Sequence, residues 1–149
     1  MNKKGFTLIE LLVVIAIIGV LSTLAVVALG SARQKANDAK RLSDVKQIQT
    51  ALELFYTDQN SYPTSTNLVL GSATASSVCL DSSGFAATCT SPDASLYMGL
   101  VPADPDADKS YVYNSVNNGD SYTISVDLEL GTGGFDAGFV TATESGMMQ

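Results

Sequence analysis

The chain has 149 residues, enough for one ordinary domain, and is acidic, with 15 Asp and Glu against 8 Lys and Arg. It has no histidine, which removes the usual general base, the Ser-His and Cys-His nucleophile pairs and the commonest metal ligand. Seven of the eight basic residues fall in the first 49 positions, which carry a net +4, while the remaining hundred carry −11, so the two parts have different employment.

Lys3 and Lys4 open the chain. From Phe6 to Leu29 the only charge is Glu10, and residues 11–21 read LLVVIAIIGVL. Roughly twenty apolar residues match the hydrocarbon thickness of a bilayer, and a polar backbone in lipid must be helical. Three readings compete. One is a secretory signal peptide cleaved near Ala28-Leu29-Gly30, although this apolar run is longer than a usual signal core. Another is a plain membrane anchor. Both leave Glu10 without a purpose, and a carboxylate at membrane depth costs about 2.5 kcal/mol or more and is usually functional.

The third reading accounts for it. Lys3-Lys4-Gly5-Phe6-Thr7-Leu8-Ile9-Glu10-Leu11 closely resembles the processing motif of type IV pilins and type II secretion pseudopilins. That resemblance implies cleavage after Gly5 by a prepilin peptidase, methylation of the new N-terminus at Phe6, and a role for Glu10 in assembly. Glu10 lies one helical turn beyond Phe6. In a low-dielectric layer, the Glu10 carboxylate of one subunit and the Phe6 amine of another attract strongly, whereas each alone is costly. Counting Lys and Arg at both membrane ends favours the opposite orientation, since Arg33, Lys35, Lys40, Arg41 and Lys46 follow the span. The cleavage motif is specific enough to override that count.

Beyond Gly30 the pattern turns amphipathic. Ala39, Leu42, Val45, Ile48, Leu52 and Phe55 recur at spacings of three and four, widened by Ala51 and Leu54, with Lys40, Asp44, Lys46, Gln47 and Glu53 assigned to the other surface. Packing against the chain's own sheet is preferred over a separate docking site. No proline occurs between residues 6 and 62, so one helix can run to about residue 58, on the order of 75 Å at 1.5 Å per residue. Gly30-Ser31 is its weak point, and Asp58, Asn60 and Pro63 mark its end. Phe55 to Thr64, with Tyr62-Pro63-Thr64, also resembles the end of the pseudopilin helix.

Residues 64–96 are rich in Ser, Thr, Ala and Gly and read as a long loop with at most short helices. Cys79 and Cys89 lie in it. In an exported chain they read as one disulfide, and in a cytosolic chain as two free thiols. Val101-Pro102-Ala103-Asp104-Pro105 followed by Tyr111-Val112-Tyr113 resembles the region before the hairpin of major pseudopilins, where a nearby loop binds calcium. That makes Asp104, Asp106, Asp108 and Asp120 candidate calcium ligands, with a solvated acidic loop as the alternative. An EF-hand is excluded, because Lys109 stands where Gly is required and Ser115 where Glu is required.

Residues 111–116 read as a strand and Asn117-Asn118-Gly119-Asp120 as a turn. Tyr122, Ile124, Val126, Leu128 and Leu130 then alternate with polar residues, so one sheet face is buried and should cover the Val45–Phe55 stripe. Gly131-Thr132-Gly133-Gly134 reads as a turn, with a further strand around 135–142.

The expected fold is α+β: a long N-terminal helix, transmembrane in its first half and amphipathic in its second, packed against a small antiparallel sheet. Residues 1–5 form a cleaved leader, 6–30 the membrane and filament-core helix, 31–60 the amphipathic half, and 61–149 a small globular α+β domain. The expected function is that of a structural subunit polymerising into a type IV pilus-type filament. The alternatives are a pseudopilin of a type II secretion-like periplasmic filament, and a minor adhesin or DNA-binding tip subunit. No constellation supports an enzyme or a cofactor. The implied partners are other copies of the chain, the prepilin peptidase, an inner-membrane assembly platform, and membrane lipid before assembly. Direct nucleic-acid binding is not expected from a −11 half. The precursor would cross the inner membrane once and then join an extracellular or periplasmic filament.

Overall fold

The computed structural model describes residues 5–89 and 94–149. Lys3 and Lys4, the basic part of the expected leader, lie outside the described residues. The first element, α1, spans Leu8–Gln59. The chain divides into two compact units, Met1–Gln34 and Lys35–Gln149, which are described in turn.

In the first unit every described residue is exposed, and α1 passes Gly19 and Gly30 without interruption. The large apolar side chains from Phe6 to Leu29 are between 45% and 79% exposed. The helix is long and apolar enough to cross a membrane.

In the second unit, the residues of α1 from 35 onward bury one stripe: Leu42, Val45, Ile48, Ala51, Leu52 and Phe55 join the core. Ala39 stays exposed, so the apolar stripe begins at Leu42. Asn60 stops the helix by entering the left-handed region at φ 56°, where its N–H donates to the Tyr56 carbonyl at 2.8 Å. Asparagine tolerates that conformation better than most residues, which suits it to a helix C-terminus.

The strands are β1 (Leu68–Val69), β2 (Cys79–Asp81), β3 (Gly84–Ala86), β4 (Leu96–Met98), β5 (Val112–Val116), β6 (Ser121–Thr132), β7 (Phe135–Thr143) and β8 (Gly146–Met148). Five form one antiparallel sheet in the order β1-β5-β6-β7-β8. Alternation puts Tyr122, Ile124, Val126 and Leu128 of β6 inward, with Val140 and Ala142 of β7, against the α1 stripe. The β5–β6 turn falls at Asn117–Gly119, where Asn117 and Asn118 also take positive φ. Gly119 is required there. Its φ is +97°, and an added Cβ would lie 2.7 Å from the Tyr62 carbonyl oxygen. The chain following α1 is strapped down at this point, as the Tyr62 N–H donates to the Gly119 carbonyl at 2.8 Å.

The structure departs from expectation in the region read as a long loop. A second antiparallel sheet, β3-β2-β4, forms there, from strands of three residues each. Such strands are too short for any period-two pattern to register in the sequence. A bond joins Cys79, at the start of β2, to Cys89, beyond β3, with the Cα atoms 6.1 Å apart. It therefore closes the β2–β3 hairpin. The short strand β8 was likewise not anticipated.

Candidate functional site

Two places in the chain carry unusual polar chemistry. The first is the start of α1. Thr7 is the residue before the helix, and Glu10 is its third residue. The Thr7 N–H donates to Glu10 Oε2 at 2.8 Å, and the Thr7 hydroxyl donates to the same oxygen at 2.6 Å. In return the Glu10 N–H donates to Thr7 Oγ1 at 3.3 Å. This is a reciprocal capping box, in which two otherwise orphaned backbone N–H groups are satisfied by side chains. The Thr-x-x-Glu spacing is itself a capping signal in the sequence. Glu10 lies beside Phe6, Ile9, Val13 and Val14, an otherwise apolar surface. Gly5 and Phe6 precede the helix and are exposed, and a Cβ added to Gly5 would meet nothing within 4 Å. The bond between them is uncrowded.

The second place is a buried charge hub in the Lys35–Gln149 unit. Arg41 is fully buried. Its Nη1 donates to Asp38 Oδ1 and to Glu129 Oε1, both at 2.8 Å. Its Nε donates to Asp104 Oδ2 and its Nη2 to Asp104 Oδ1, both at 2.9 Å, a two-pronged pairing. Asp38, also fully buried, accepts three backbone N–H groups from β6: Glu129 at 2.9 Å, Leu130 at 2.8 Å and Gly131 at 3.0 Å. The β6–β7 register shifts between Leu128 and Gly131, which frees those N–H groups. The shift also ends the inward alternation, so Leu130 is 42% exposed instead of joining the core as its period-two position implied.

The pKa directions follow from this packing. Burial works against the ionised form of Asp38, but the three backbone donors and Arg41 outweigh it, so its carboxyl lies below its ordinary value of 3.8. Burial likewise works against the Arg41 charge, and the bonds to Asp104, Glu129 and Asp38 hold the guanidinium more firmly protonated than usual. Asp44, assigned to the solvent face, is instead buried, and the Tyr111 hydroxyl donates to it at 3.1 Å. Burial raises its pKa, only partly offset by that bond. Arg41 and Asp44 sit among apolar positions of the stripe, and periodicity alone gives no signal that a charge there is buried.

Of the calcium-ligand candidates, Asp104 has both oxygens engaged by Arg41. Asp104 Oδ1 also accepts the Asp106 N–H at 2.9 Å, and Asp106 Oδ1 accepts the Asp108 N–H at 3.1 Å. Asp120 follows the Asn117–Gly119 turn in a different loop. Among the described residues these carboxylates are not gathered into a metal-binding group.

Breaking a buried ion network by removing its cation leaves uncompensated carboxylates, so Arg41→Leu should destabilise the folded unit by about 3–5 kcal/mol in denaturant melts. The contribution of Asp38 depends on pH in a definite direction. Its folded pKa is depressed, so its stabilisation is present above 3.8 and is lost as pH falls through the lower folded value. Asp44, with a raised pKa, acts in the opposite sense, favouring the folded state as pH falls toward 3.8. The gap in melting temperature between wild type and Asp38→Asn is therefore expected to narrow as pH drops below 3.8. A gap constant with pH would show that the Asp38 charge is not what stabilises the hub.

A family model described as the prokaryotic N-terminal methylation motif matches residues 1–30. The chain is 33% identical over 133 residues to the Type II secretion system core protein G of Escherichia coli (strain K12), covering 88% of this chain and 87% of that protein. It is 28% identical over 153 residues to the protein of the same name from Vibrio cholerae serotype O1, covering 97% and 91%. It is also 33% identical over 114 residues to the Type IV wide pilus major component PilA4 of Thermus thermophilus, covering 64% of this chain and 87% of that protein. No solved structure matches it significantly. The matched motif, these relatives and an uncovered apolar helix ahead of an α+β unit place the chain in the family of type IV pilins and type II secretion pseudopilins, as a pilin-like structural filament subunit.

Proposed function

We propose that this chain is made as a single-span inner-membrane precursor, cut after Gly5 and methylated at Phe6 by a prepilin peptidase, and then assembled into a type IV pilus-type filament. The observation that carries this reading is the exposure of every described residue in the Met1–Gln34 unit. That much apolar surface requires lipid before assembly and other copies of the helix afterwards. Cleavage and assembly then use groups that stand ready: an uncrowded Gly5–Phe6 bond and a Glu10 carboxylate whose present partners are Thr7 alone among the described residues. The new Phe6 amine of a neighbouring subunit can exchange for Thr7 as the partner of Glu10. Extraction from the membrane and stacking fall to an inner-membrane assembly platform. The role is structural, without catalysis and without a direct part in nucleic-acid binding.

A second reading, a pseudopilin of a type II secretion-like periplasmic filament, is favoured by the two relatives named Type II secretion system core protein G that match over most of their length. Deleting the gene in its host separates the readings. Loss of surface filaments supports the pilus, and loss of protein secretion with surface filaments intact supports the pseudopilus.

Intact mass of the protein from host envelopes should show loss of residues 1–5 and gain of one methyl group. Loss of residues 1–30 would instead mean an ordinary signal peptide and would end the assembly reading. Glu10→Gln should insert in the membrane normally, as carbonate extraction would show, while the yield of sheared filaments falls by about tenfold or more. Normal filament yield in that variant would remove Glu10 from the mechanism.

A further inference from the structure

The surface of the Lys35–Gln149 unit holds a second polar feature, apart from the hub. A cleft of about 390 Å³ opens between the outer side of α1 and the β7–β8 turn. Glu53, Glu144 and Lys46 bring charge to it, and Tyr122 lines it. Tyr122 is 1% exposed, and its hydroxyl has no hydrogen-bond partner of normal geometry. The neighbouring Gln49 amide donates instead to the Thr143 carbonyl at 2.7 Å. One Glu53 oxygen accepts the Tyr62 hydroxyl at 2.9 Å. Burial raises the pKa of the Tyr122 hydroxyl, the neighbouring Gln49 amide works against that rise, and the charges of Glu53 and Glu144, which line the same cleft, add to it. A buried hydroxyl without a well-formed hydrogen bond is costly, and its oxygen can accept from a donor that enters the cleft.

The same chain carries the matching groups. Among the described residues its ion pairs are those of Arg41 and one between Lys109 and Asp127. Arg33, Lys35 and Lys40 are exposed on α1 and make none of them. A long basic side chain delivers N–H donors at the end of an apolar stem, which suits a partly open cleft with carboxylates at its rim and a hydroxyl at its floor. The cleft is too open and too polar to resemble an ordinary small-molecule pocket. In a filament, copies of the chain are held at high effective concentration, so a pairing of modest strength is populated.

We propose that this cleft receives a basic side chain from segment 33–40 of a second copy of this chain, fixing how neighbouring subunits are aligned. The inference rests on the filament reading above. Electrostatic pairing of this kind governs register and partner choice more than raw affinity.

Charge reversal in the full-length chain tests it. Glu144 is exposed in the β7–β8 turn, so Glu144→Lys should fold, insert and melt as wild type does while lowering filament yield by about fivefold or more. Glu144→Gln, which removes the attraction without adding repulsion, should give a smaller loss in the same direction. Combining Glu144→Lys with Arg33→Glu, Lys35→Glu or Lys40→Glu in turn should restore assembly for the residue that docks, although that residue's change alone should impair it. Wild-type yield from Glu144→Lys overturns the inference and leaves the filament reading standing, as does a loss of yield that none of the three reversals rescues. Absence of filaments from the wild-type chain itself would overturn the filament reading, and this inference with it.

Discussion

The apolar stretch from Phe6 to Leu29 has nothing in its own unit to cover it, and that uncovered surface is the constraint from which the rest of the molecule follows. Water is the wrong solvent for it, so the subunit is confined to lipid until copies of the same helix replace lipid. Glu10 is the one ionisable group in that stretch. Its engagement with Thr7 explains how a carboxylate can be carried at the start of an apolar helix: the capping box gives it two donors from a single residue. The same local bonds are easily exchanged, since they involve an exposed helix end and no packed core.

In the Lys35–Gln149 unit the residues of α1 from 35 onward are held to the sheet by both apolar and ionic contacts. The stripe from Leu42 to Phe55 packs on the inner face of the five-stranded sheet, which supplies non-directional stability. Arg41 and Asp38 supply direction. Between them they bind Asp104 in the acidic loop, Glu129 on β6 and three backbone N–H groups at the β6–β7 irregularity. A buried ion network is not in itself a gain over a well-packed apolar core. Its bonds do tie loop, strand and helix to one another in a directional way.

The charge asymmetry of the chain then acquires a structural meaning. Of the basic residues that follow the apolar stretch, Arg41 is spent internally, while Arg33, Lys35, Lys40 and Lys46 remain on the exposed surface of α1. Of the acids of the sheets and loops, Asp108, Asp120, Asp136 and Glu144 are exposed as well. Exposed basic and exposed acidic groups on one chain can attract one another between copies.

Much of this was legible in the residues alone, because the relevant physics is local. Twenty-odd apolar residues, a Gly-Phe pair and a Glu at a fixed distance are read directly from the chain. So are the 3.6-residue stripe of α1, the period-two alternation of β6 and the Asn-Asn-Gly turn. The Thr7–Glu10 capping box is equally local, carried by residues three apart. What only the tertiary structure decided depends on partners far apart in sequence. Asp38 meets residues 129–131, Arg41 meets Asp104, and Asp44 meets Tyr111. A charged residue on a helix reads as solvent-facing until the group that neutralises it is placed beside it, and no periodicity encodes that. The three-stranded sheet within residues 79–98 escaped for a related reason. Strands of three residues are held by their pairing and by the covalent closure at Cys79–Cys89 rather than by any pattern of their own.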